Sequence, residues 1–227
     1  MQTQIPIHTM AKGAFISFEG SEGCGKSTQI EQLARHLRGL GYRVRTPREP
    51  GGTLIGEEIR HTLKHSKDNA AMTAEAELLL MNAARAQLVR EVIRPALAAG
   101  EVVLCDRFYD STTAYQGYGR QLDLIMVQTV IDIAVGETRP DLTLLLTVSA
   151  AVSAQRRAAR QSTLPFMRDR IEAAGREFFE RVEQGFAAIA AAEPDRFRTV
   201  DTSGSLESVS ERIWDLVRPV LPRIGRW

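Results

Sequence analysis

The chain has 227 residues, which allows one domain, or one domain with a small insertion. Hydrophobic residues account for 44% of it and charged residues for 25%, the composition of a globular protein with a full core. A net charge of +1 argues against a nucleic-acid-binding surface, which needs a basic excess, and no apolar run is long enough to span a membrane. The first residues lack the apolar segment of a secretory signal, so we predict a short mobile extension at 1–12 and a single domain at 13–227.

The most informative stretch is residues 20–27, which read Gly-Ser-Glu-Gly-Cys-Gly-Lys-Ser and match the Walker A pattern G-x-x-x-x-G-K-[ST]. An apolar run at 14–18 precedes it and a helical pattern follows it, which is the strand–loop–helix context of a P-loop. Such a loop turns its backbone N–H groups and the positive end of the helix dipole toward phosphate. We therefore predict that the phosphates of a bound nucleotide are held by Gly20, Ser21, Glu22, Gly23, Cys24, Gly25, Lys26, Ser27 and Thr28. Within this set, Lys26 should reach the β- and γ-phosphates and the Ser27 hydroxyl should hold Mg²⁺.

Along the chain, five apolar segments alternate with helical patterns, which predicts a parallel α/β sheet with helices on both faces. The predicted strands are 14–18, 42–46, 101–106, 141–148 and 197–201. The predicted helices include a long one capped by Thr73, in which Pro95 should cause a kink or start a new turn. Others are predicted at 125–135, 152–160, 169–192 and from 206 onward. In the helix at 125–135, the predicted core side consists of Met126, Val130, Ile133 and Ala134. Residues 107–121 are expected to form a loop or an irregular helix.

Several polar side chains fall at the carboxyl ends of the predicted strands, where parallel sheets bind their ligands. Asp106 has the position of a Walker-B-like carboxylate near Mg²⁺, with a surface aspartate as the alternative. Arg107 offers a planar fork for bidentate contact with phosphate. Farther along, Arg156, Arg157 and Arg160 lie before a break at Pro165. They form either a solvated helix face or a set of arginines that stabilise a transferring phosphoryl group.

The cysteines and histidines offer weaker signals. Cys24 and Cys105 are expected to be reduced thiols in a cytoplasmic protein, with a redox role as the alternative. His61 and His65 are four residues apart on a predicted helix, a spacing that a metal site can use. No third ligand accompanies them, so a solvated helix face is the favoured interpretation.

Three motifs make the chain similar to the bacterial thymidylate kinases over nearly its whole length. They are Phe18-Glu19-Gly20 leading into the P-loop, Arg-Glu-Pro-Gly-Gly-Thr at 48–53, and Asp-Arg-Phe-Tyr-Asp-Ser-Thr-Thr-Ala-Tyr-Gln-Gly at 106–117. Asp-Arg-Ile-Glu at 169–172 also fits the family pattern. The resemblance implies a P-loop kinase fold with a small helical lid at about 153–172. It also implies Mg²⁺-assisted transfer of phosphate from ATP to dTMP, and a homodimer.

The resemblance also assigns roles by position. Arg48 and Arg107 would hold the dTMP phosphate, Glu22 would lie near the sugar 3′-OH, and Tyr115 would exclude a ribose 2′-OH. Arg85 would hydrogen-bond the base, and the remaining substrate-binding residues would be Met81, Ser111, Thr112 and Gln116. Some family members carry a catalytic arginine in the P-loop, whereas this chain has Cys24 there. The resemblance therefore implies a catalytic set that includes the lid arginines: Lys26, Arg107, Arg156, Arg157 and Arg160. Asp169 and Glu172 would help to position the lid.

One departure concerns the base. The family usually has phenylalanine four residues before the base-contacting arginine, and this chain has Met81. A thioether can still lie against an aromatic ring, but the lost stacking leaves open a related nucleoside monophosphate kinase with another base preference. A third hypothesis is a P-loop switch or assembly module. Such a module does not need acceptor-phosphate and lid arginines, so Arg48, Arg107 and Arg156 argue against it.

Overall fold

The computed structural model describes residues 12–66, 69–149, 151–153, 155–156, 170–171 and 174–223. Several predictions lie outside these residues. They concern nearly all of the N-terminal extension and most of the expected lid, including Arg157, Arg160, Asp169 and Glu172.

A five-stranded parallel sheet forms the centre of the molecule, as predicted. Its strands, in the spatial order β2-β3-β1-β4-β5, are β1 (Phe15–Glu19), β2 (Val44–Arg45), β3 (Val102–Asp106), β4 (Leu142–Thr147) and β5 (Phe197–Asp201). Every residue of β1 is buried, because helices cover both faces of a parallel sheet. The edge strand β2 is shorter than the predicted segment 42–46. It pairs with β3 at two positions only, and Pro47, which has no N–H to donate, follows soon after.

Helices follow the strands and carry recognisable end signals. They are α1 (Lys26–Gly39), α2 (Leu54–His65), α3 (Ala74–Leu88), α4 (Arg94–Ala98), α5 (Tyr109–Thr112), α6 (Leu124–Val135), α7 (Arg176–Ala192) and α8 (Leu206–Val217). The Thr73 hydroxyl accepts a hydrogen bond from Ala76 N and begins α3 as predicted. A π-helical turn at Val89–Ile93 joins α3 to α4, whose first turn contains Pro95. A second π-helical segment, Thr113–Gly119, follows α5, so the irregular helix expected in this region is confirmed.

The core has two large clusters, one on each face of the sheet. On one face, side chains of α1 and α8 such as Leu37 and Ile213 pack against Ile16 and Leu144. On the other, the segments from α3 to α6 pack against the sheet through Phe15 and its neighbours. A third cluster joins the second π-helix to α7. Within the described residues, no helix combines the length and the hydropathy that a membrane span requires.

Two helix predictions were wrong in detail. The helix expected at 169–192 begins at Arg176, since residues 170–171 lie in a turn and Gly175 has an extended backbone. On α6, the buried side is Val127, Ile131, Ala134 and Val135, whereas Ile133 is 72% exposed and Met126 is 38% exposed. Because α6 is apolar on nearly every side, its hydrophobic pattern did not identify the face that packs inward.

A buried ion pair fixes α5 to the strands beside it. Asp110 accepts hydrogen bonds from both terminal nitrogens of Arg196, at 2.8 and 2.9 Å, and from the Thr143 hydroxyl at 3.1 Å. The Asp110 side chain is 2% exposed and that of Arg196 is 13% exposed. Removal of Asp110 would take away the buried partner of Arg196 and leave only the half-exposed Glu193 to pair with it.

We therefore expect Asp110→Ala to lower the free energy of unfolding by about 3–5 kcal/mol. The matched control is Glu193→Ala, which removes the other carboxylate that pairs with Arg196. Glu193 is about half exposed, so that change should cost less than about 1 kcal/mol. Urea unfolding of the two variants measures both values. Equal losses would contradict the dominant role of the buried partner.

Candidate active site

The P-loop closes around the ammonium group of Lys26. Gly20 has a φ of +130°, and a Cβ there would lie 2.2 Å from the carbonyl oxygen of Leu146, so only glycine fits. Lys26 is the first residue of α1 and is 8% exposed. Its Nζ donates to the carbonyl oxygens of Gly20 and Ser21, each at 3.0 Å. Burial, and then the nearby Arg107, lower the Lys26 pKa. An arriving anion would relieve both effects, as expected for a phosphate ligand.

A pair of oxygen ligands lies beside the loop. The Ser27 hydroxyl donates to Oδ2 of Asp106 at 3.0 Å, in a solvent-accessible position. Hydroxyl and carboxylate oxygens are the ligands that Mg²⁺ prefers, and Mg²⁺ commonly combines one or two protein oxygens with phosphate oxygens. Among the described residues, no group of three or more His, Cys, Asp or Glu side chains could hold a metal alone. The predicted metal ligands therefore fit an ion shared with a bound phosphate.

Arg107 lies at the end of β3 in an unusual and well-supported conformation. Its φ is +70°, in the left-handed region that few non-glycine residues adopt. One terminal nitrogen donates to the Ser111 hydroxyl at 3.1 Å, and the guanidinium carbon lies 5.2 Å from the centre of the Tyr115 ring. Cation–π contact of this kind holds a guanidinium without occupying all of its N–H groups. Arg107 is thereby oriented while some of its donors stay available.

Glu19 supports this arrangement from below, and its role was not predicted. It ends β1 and is fully buried. Its carboxyl group accepts a 2.7 Å hydrogen bond from Phe108 N and lies 2.5 Å from the Ser111 hydroxyl, which donates to it. Burial raises the pKa of Glu19 to about 8, with a further contribution from Asp110, while Arg107 acts in the opposite direction. An acidic residue at the end of an apolar strand, as with Asp106, was the signal in the sequence that could have identified it.

Two further predicted arginines differ in exposure. The Arg48 side chain is 48% exposed and donates to Glu57 at 3.0 Å, and its backbone forms an isolated bridge with Asp106. Arg85 is 2% exposed and donates to Glu49 at 2.8 Å, to the Asn82 side chain at 2.8 Å and to the Thr112 hydroxyl at 2.9 Å. Arg48 is thus open to solvent at the sheet edge, whereas Arg85 is embedded in protein contacts.

The remaining predicted residues occupy the surroundings of Arg85 and the P-loop. Met81 is half-buried one helical turn before Arg85, and Gln116 is buried and donates to Glu77 at 2.8 Å. Arg156 reaches the P-loop side, where it donates to the Thr202 carbonyl at 2.9 Å and to the Gly23 carbonyl at 3.4 Å.

Cys24 and Cys105 are both buried thiols, and burial raises the pKa of Cys105, which disfavours thiolate chemistry there.

The fold and the site together define a P-loop phosphate-binding protein of the α/β class. A family model for thymidylate kinase matches residues 18–213 of the chain. The chain therefore belongs to the thymidylate kinase family.

Named relatives agree with this assignment. The chain is 48% identical over 212 residues to a thymidylate kinase of Geobacter sulfurreducens, covering 93% of this chain and 99% of that protein. It is also 48% identical to one of Alcanivorax borkumensis, over 90% of this chain and 96% of the relative. A crystal structure of thymidylate kinase from Ehrlichia chaffeensis superposes with a TM-score of 0.73 at 30% identity, covering 91% of this chain and 99% of that one.

The raised pKa of Glu19 predicts a particular dependence of stability on pH. Between its ordinary pKa and about 8, the folded protein holds a proton on Glu19 that the unfolded chain does not. This contribution to stability is therefore complete below the ordinary pKa of a glutamate and is lost progressively as the pH rises to about 8. The Glu19→Gln variant keeps a side chain of nearly the same shape that cannot bind or release a proton in this pH range. Relative to this variant, the wild type should lose stability from pH 5 to pH 8, by at most about 1.4 kcal/mol per pH unit. Urea unfolding at several pH values checks this, and parallel curves for the two proteins would contradict it.

Proposed function

We propose that this protein transfers the γ-phosphoryl group of ATP to dTMP, giving ADP and dTDP. The observation that carries the proposal is that two groups suited to bind phosphate lie together at the carboxyl-terminal end of β1 and β3. The P-loop with Lys26 supplies the donor side, and Arg107, held by Ser111 and Tyr115, supplies the acceptor side. A switch or assembly module needs only the first of these groups. Membership in the thymidylate kinase family supports the choice of dTMP.

On the donor side, the chain stabilises phosphate charge in three ways. The P-loop backbone and the start of α1 present N–H groups, Lys26 adds a cation, and Arg156 lies next to the loop. Ser27 and Asp106 would hold Mg²⁺, which neutralises phosphate charge when bound. With Arg157 and Arg160, Arg156 is proposed to stabilise the transferring group, as required in a chain without a P-loop arginine.

On the acceptor side, Arg48 and Arg107 are proposed to hold the dTMP phosphate. Arg48 would exchange its exposed pairing with Glu57 for the substrate, a small cost for a pair of this kind. Because the acceptor phosphate is already anionic, no general base is needed, and positioning can supply much of the rate. Glu22 would lie near the sugar, and Tyr115 would exclude a 2′-OH.

Base recognition is proposed for the region around Arg85. The Thr112 hydroxyl accepts a hydrogen bond from Arg85, and Gln116 lies on the π-helix that follows Thr112. Thr112 and Gln116 can therefore both form hydrogen bonds with the edge of the base. Met81 would replace the usual stacking ring. The second candidate function, a nucleoside monophosphate kinase with another base preference, is favoured only by this methionine.

The test is a panel of nucleotides. Purified protein is mixed with MgATP and each of dTMP, dUMP, dCMP, dAMP and dGMP, and ADP formation is measured. We expect dTMP to have the highest kcat/KM.

Lys26→Ala should lower kcat by about 10² or more because it removes charge stabilisation of the transition state. Circular dichroism confirms that the variant is folded. Near-normal turnover in the folded variant would contradict the donor site, and preferential use of dCMP would favour the second candidate.

We also propose that the protein is a homodimer that buries the apolar surface of α3 and α6. Leu79 is 58% exposed, Ile125 78% and Ile133 72%, and these two helices pack side by side. Exposed apolar side chains grouped in this way are typical of a protein–protein interface. A second copy of the chain is the partner that the family resemblance implies.

Ile133→Glu should shift the protein toward monomer in sedimentation velocity, because it places a charge within the proposed interface. Leu206→Glu is the matched control. It adds the same charge at a residue 40% exposed on α8, which packs on the opposite face of the sheet. A wild-type monomer, or equal effects of the two variants, would contradict the proposed interface.

The cytoplasm is the proposed location of the reaction. Cys24 and Cys105 are buried thiols without a disulfide in the described structure, which suits a reducing compartment. The proposed substrates, ATP and dTMP, are small charged molecules that do not cross membranes unaided.

A further inference from the structure

Glu77 is a buried carboxylate to which the site described above gives no role. It lies in the first turn of α3, and its side chain is 2% exposed. Its Oε1 accepts from Gln116 Nε2 at 2.8 Å and from Arg120 Nε at 3.1 Å. Its Oε2 accepts from Arg120 Nη2 at 2.9 Å and from Arg170. Burying a carboxylate is costly without such partners, and here three residues from two separate segments supply them.

This contact determines which way the Gln116 amide is turned. A carboxylate flanked by two guanidinium groups has no hydrogen to donate, so only the NH₂ end of the amide can face it. The carbonyl oxygen of Gln116 must therefore be presented on the side away from Glu77. Gln116 is itself 2% exposed, which leaves little room for another orientation.

Arg120 and its neighbours hold the Glu77 carboxylate in place. Arg120 bonds both of its oxygens in a bidentate fashion and lies with its guanidinium carbon 4.7 Å from the centre of the Phe178 ring. Gly119, the residue before Arg120, accepts two hydrogen bonds from Arg181. The contact between Glu77 and Gln116 is thus anchored to α7 as well as to α3.

We propose that Glu77 is a positioning residue for base selection, which fixes the Gln116 amide with its carbonyl oxygen as the group offered to the base. This rests on the proposed contact between Gln116 and the base of dTMP. Thymine and uracil carry a hydrogen on N3 that such an oxygen can accept. Cytosine has an unprotonated N3, so it would meet the same oxygen with a lone pair. A polar site arranged for one base edge rejects the other in this way.

The sharpest test is Glu77→Gln. Two arginine nitrogens, from Arg120 and Arg170, donate to the Oε2 position, whereas one, Arg120 Nε, donates to the Oε1 position. The new amide should therefore place its oxygen at the Oε2 position and its NH₂ at the Oε1 position. That NH₂ can satisfy Gln116 only if the Gln116 amide turns over and offers its own NH₂ to the base. We expect the ratio of kcat/KM for dTMP to that for dCMP to fall by about tenfold or more, since one hydrogen bond is replaced by an unsatisfied contact. The ratio of dTMP to dUMP should stay unchanged, because both bases carry the N3 hydrogen.

Arg170→Gln is the matched control. It removes a charged partner from the same carboxylate but leaves the bond to Gln116, so the dTMP-to-dCMP ratio should be retained. Thermal unfolding of each variant monitors stability. If Glu77→Gln does not fold, Glu77→Asp replaces it, since that variant keeps the charge and withdraws the carboxylate from Gln116. It should lower the same ratio.

Three results would overturn the proposal. They are an unchanged dTMP-to-dCMP ratio in folded Glu77 variants, parallel changes with dUMP and dCMP, and an equal loss of discrimination in Arg170→Gln. Gln116→Leu separates this failure from that of the underlying contact. If it leaves the dTMP-to-dCMP ratio unchanged, Gln116 does not touch the base. Absence of dTMP phosphorylation by the wild type would instead refute the proposed function itself.

Discussion

The parallel pairing of β1 with β3 is the constraint on which the whole site depends. Its register places Phe18 beside Asp106, and Arg107 N donates to the Phe18 carbonyl at 2.9 Å. The residues that follow each strand are consequently neighbours in space. The P-loop begins after β1, and Arg107, the proposed acceptor-side arginine, begins the segment after β3. A shift of one residue in this pairing would turn Asp106 to the other face of the sheet and separate it from Ser27.

The site concentrates buried ionisable side chains that a protein selected only for stability would avoid. Lys26, Glu19, Arg85 and Glu77 are each at most 8% exposed, and each is held by several hydrogen bonds. Replacement of such groups by apolar ones is often neutral or stabilising in other proteins. Under the proposed function, Lys26 is already oriented when phosphate arrives, and Arg85 and Glu77 hold the groups proposed to contact the base. The burial of large apolar clusters on both faces of the sheet stabilises the fold and offsets the cost of burying these ionisable groups.

The sequence identified the parts of the site whose geometry is local. The P-loop is a contiguous motif with its own strand and helix, and Asp106 with Arg107 marks a strand end, so their convergence followed from sheet topology. Glu19 and Glu77 were missed as functional residues because their partners are distant along the chain. Gln116 and Arg170, for example, are 39 and 93 residues from Glu77.

The two wrong helix predictions have equally physical origins. On α6, apolar residues on nearly every side gave no unique inward face. For α7, the charged residues before Gly175 are compatible with a helix in isolation, whereas residues 170–171 lie in a turn and Arg170 pairs with Glu77 on a distant helix. Local propensity could not reveal that contact.

The position of Tyr115 limits how this enzyme can change over evolutionary time. Its ring lies against Arg107 on one side and meets Phe178 and Phe186 edge-on, with ring centres about 6 Å away. The residue proposed to reject ribose therefore also orients the arginine proposed to hold the acceptor phosphate. A single substitution that admits a larger sugar loosens that arginine at the same time. A change of sugar preference at Tyr115 therefore needs a second change that restores the support for Arg107.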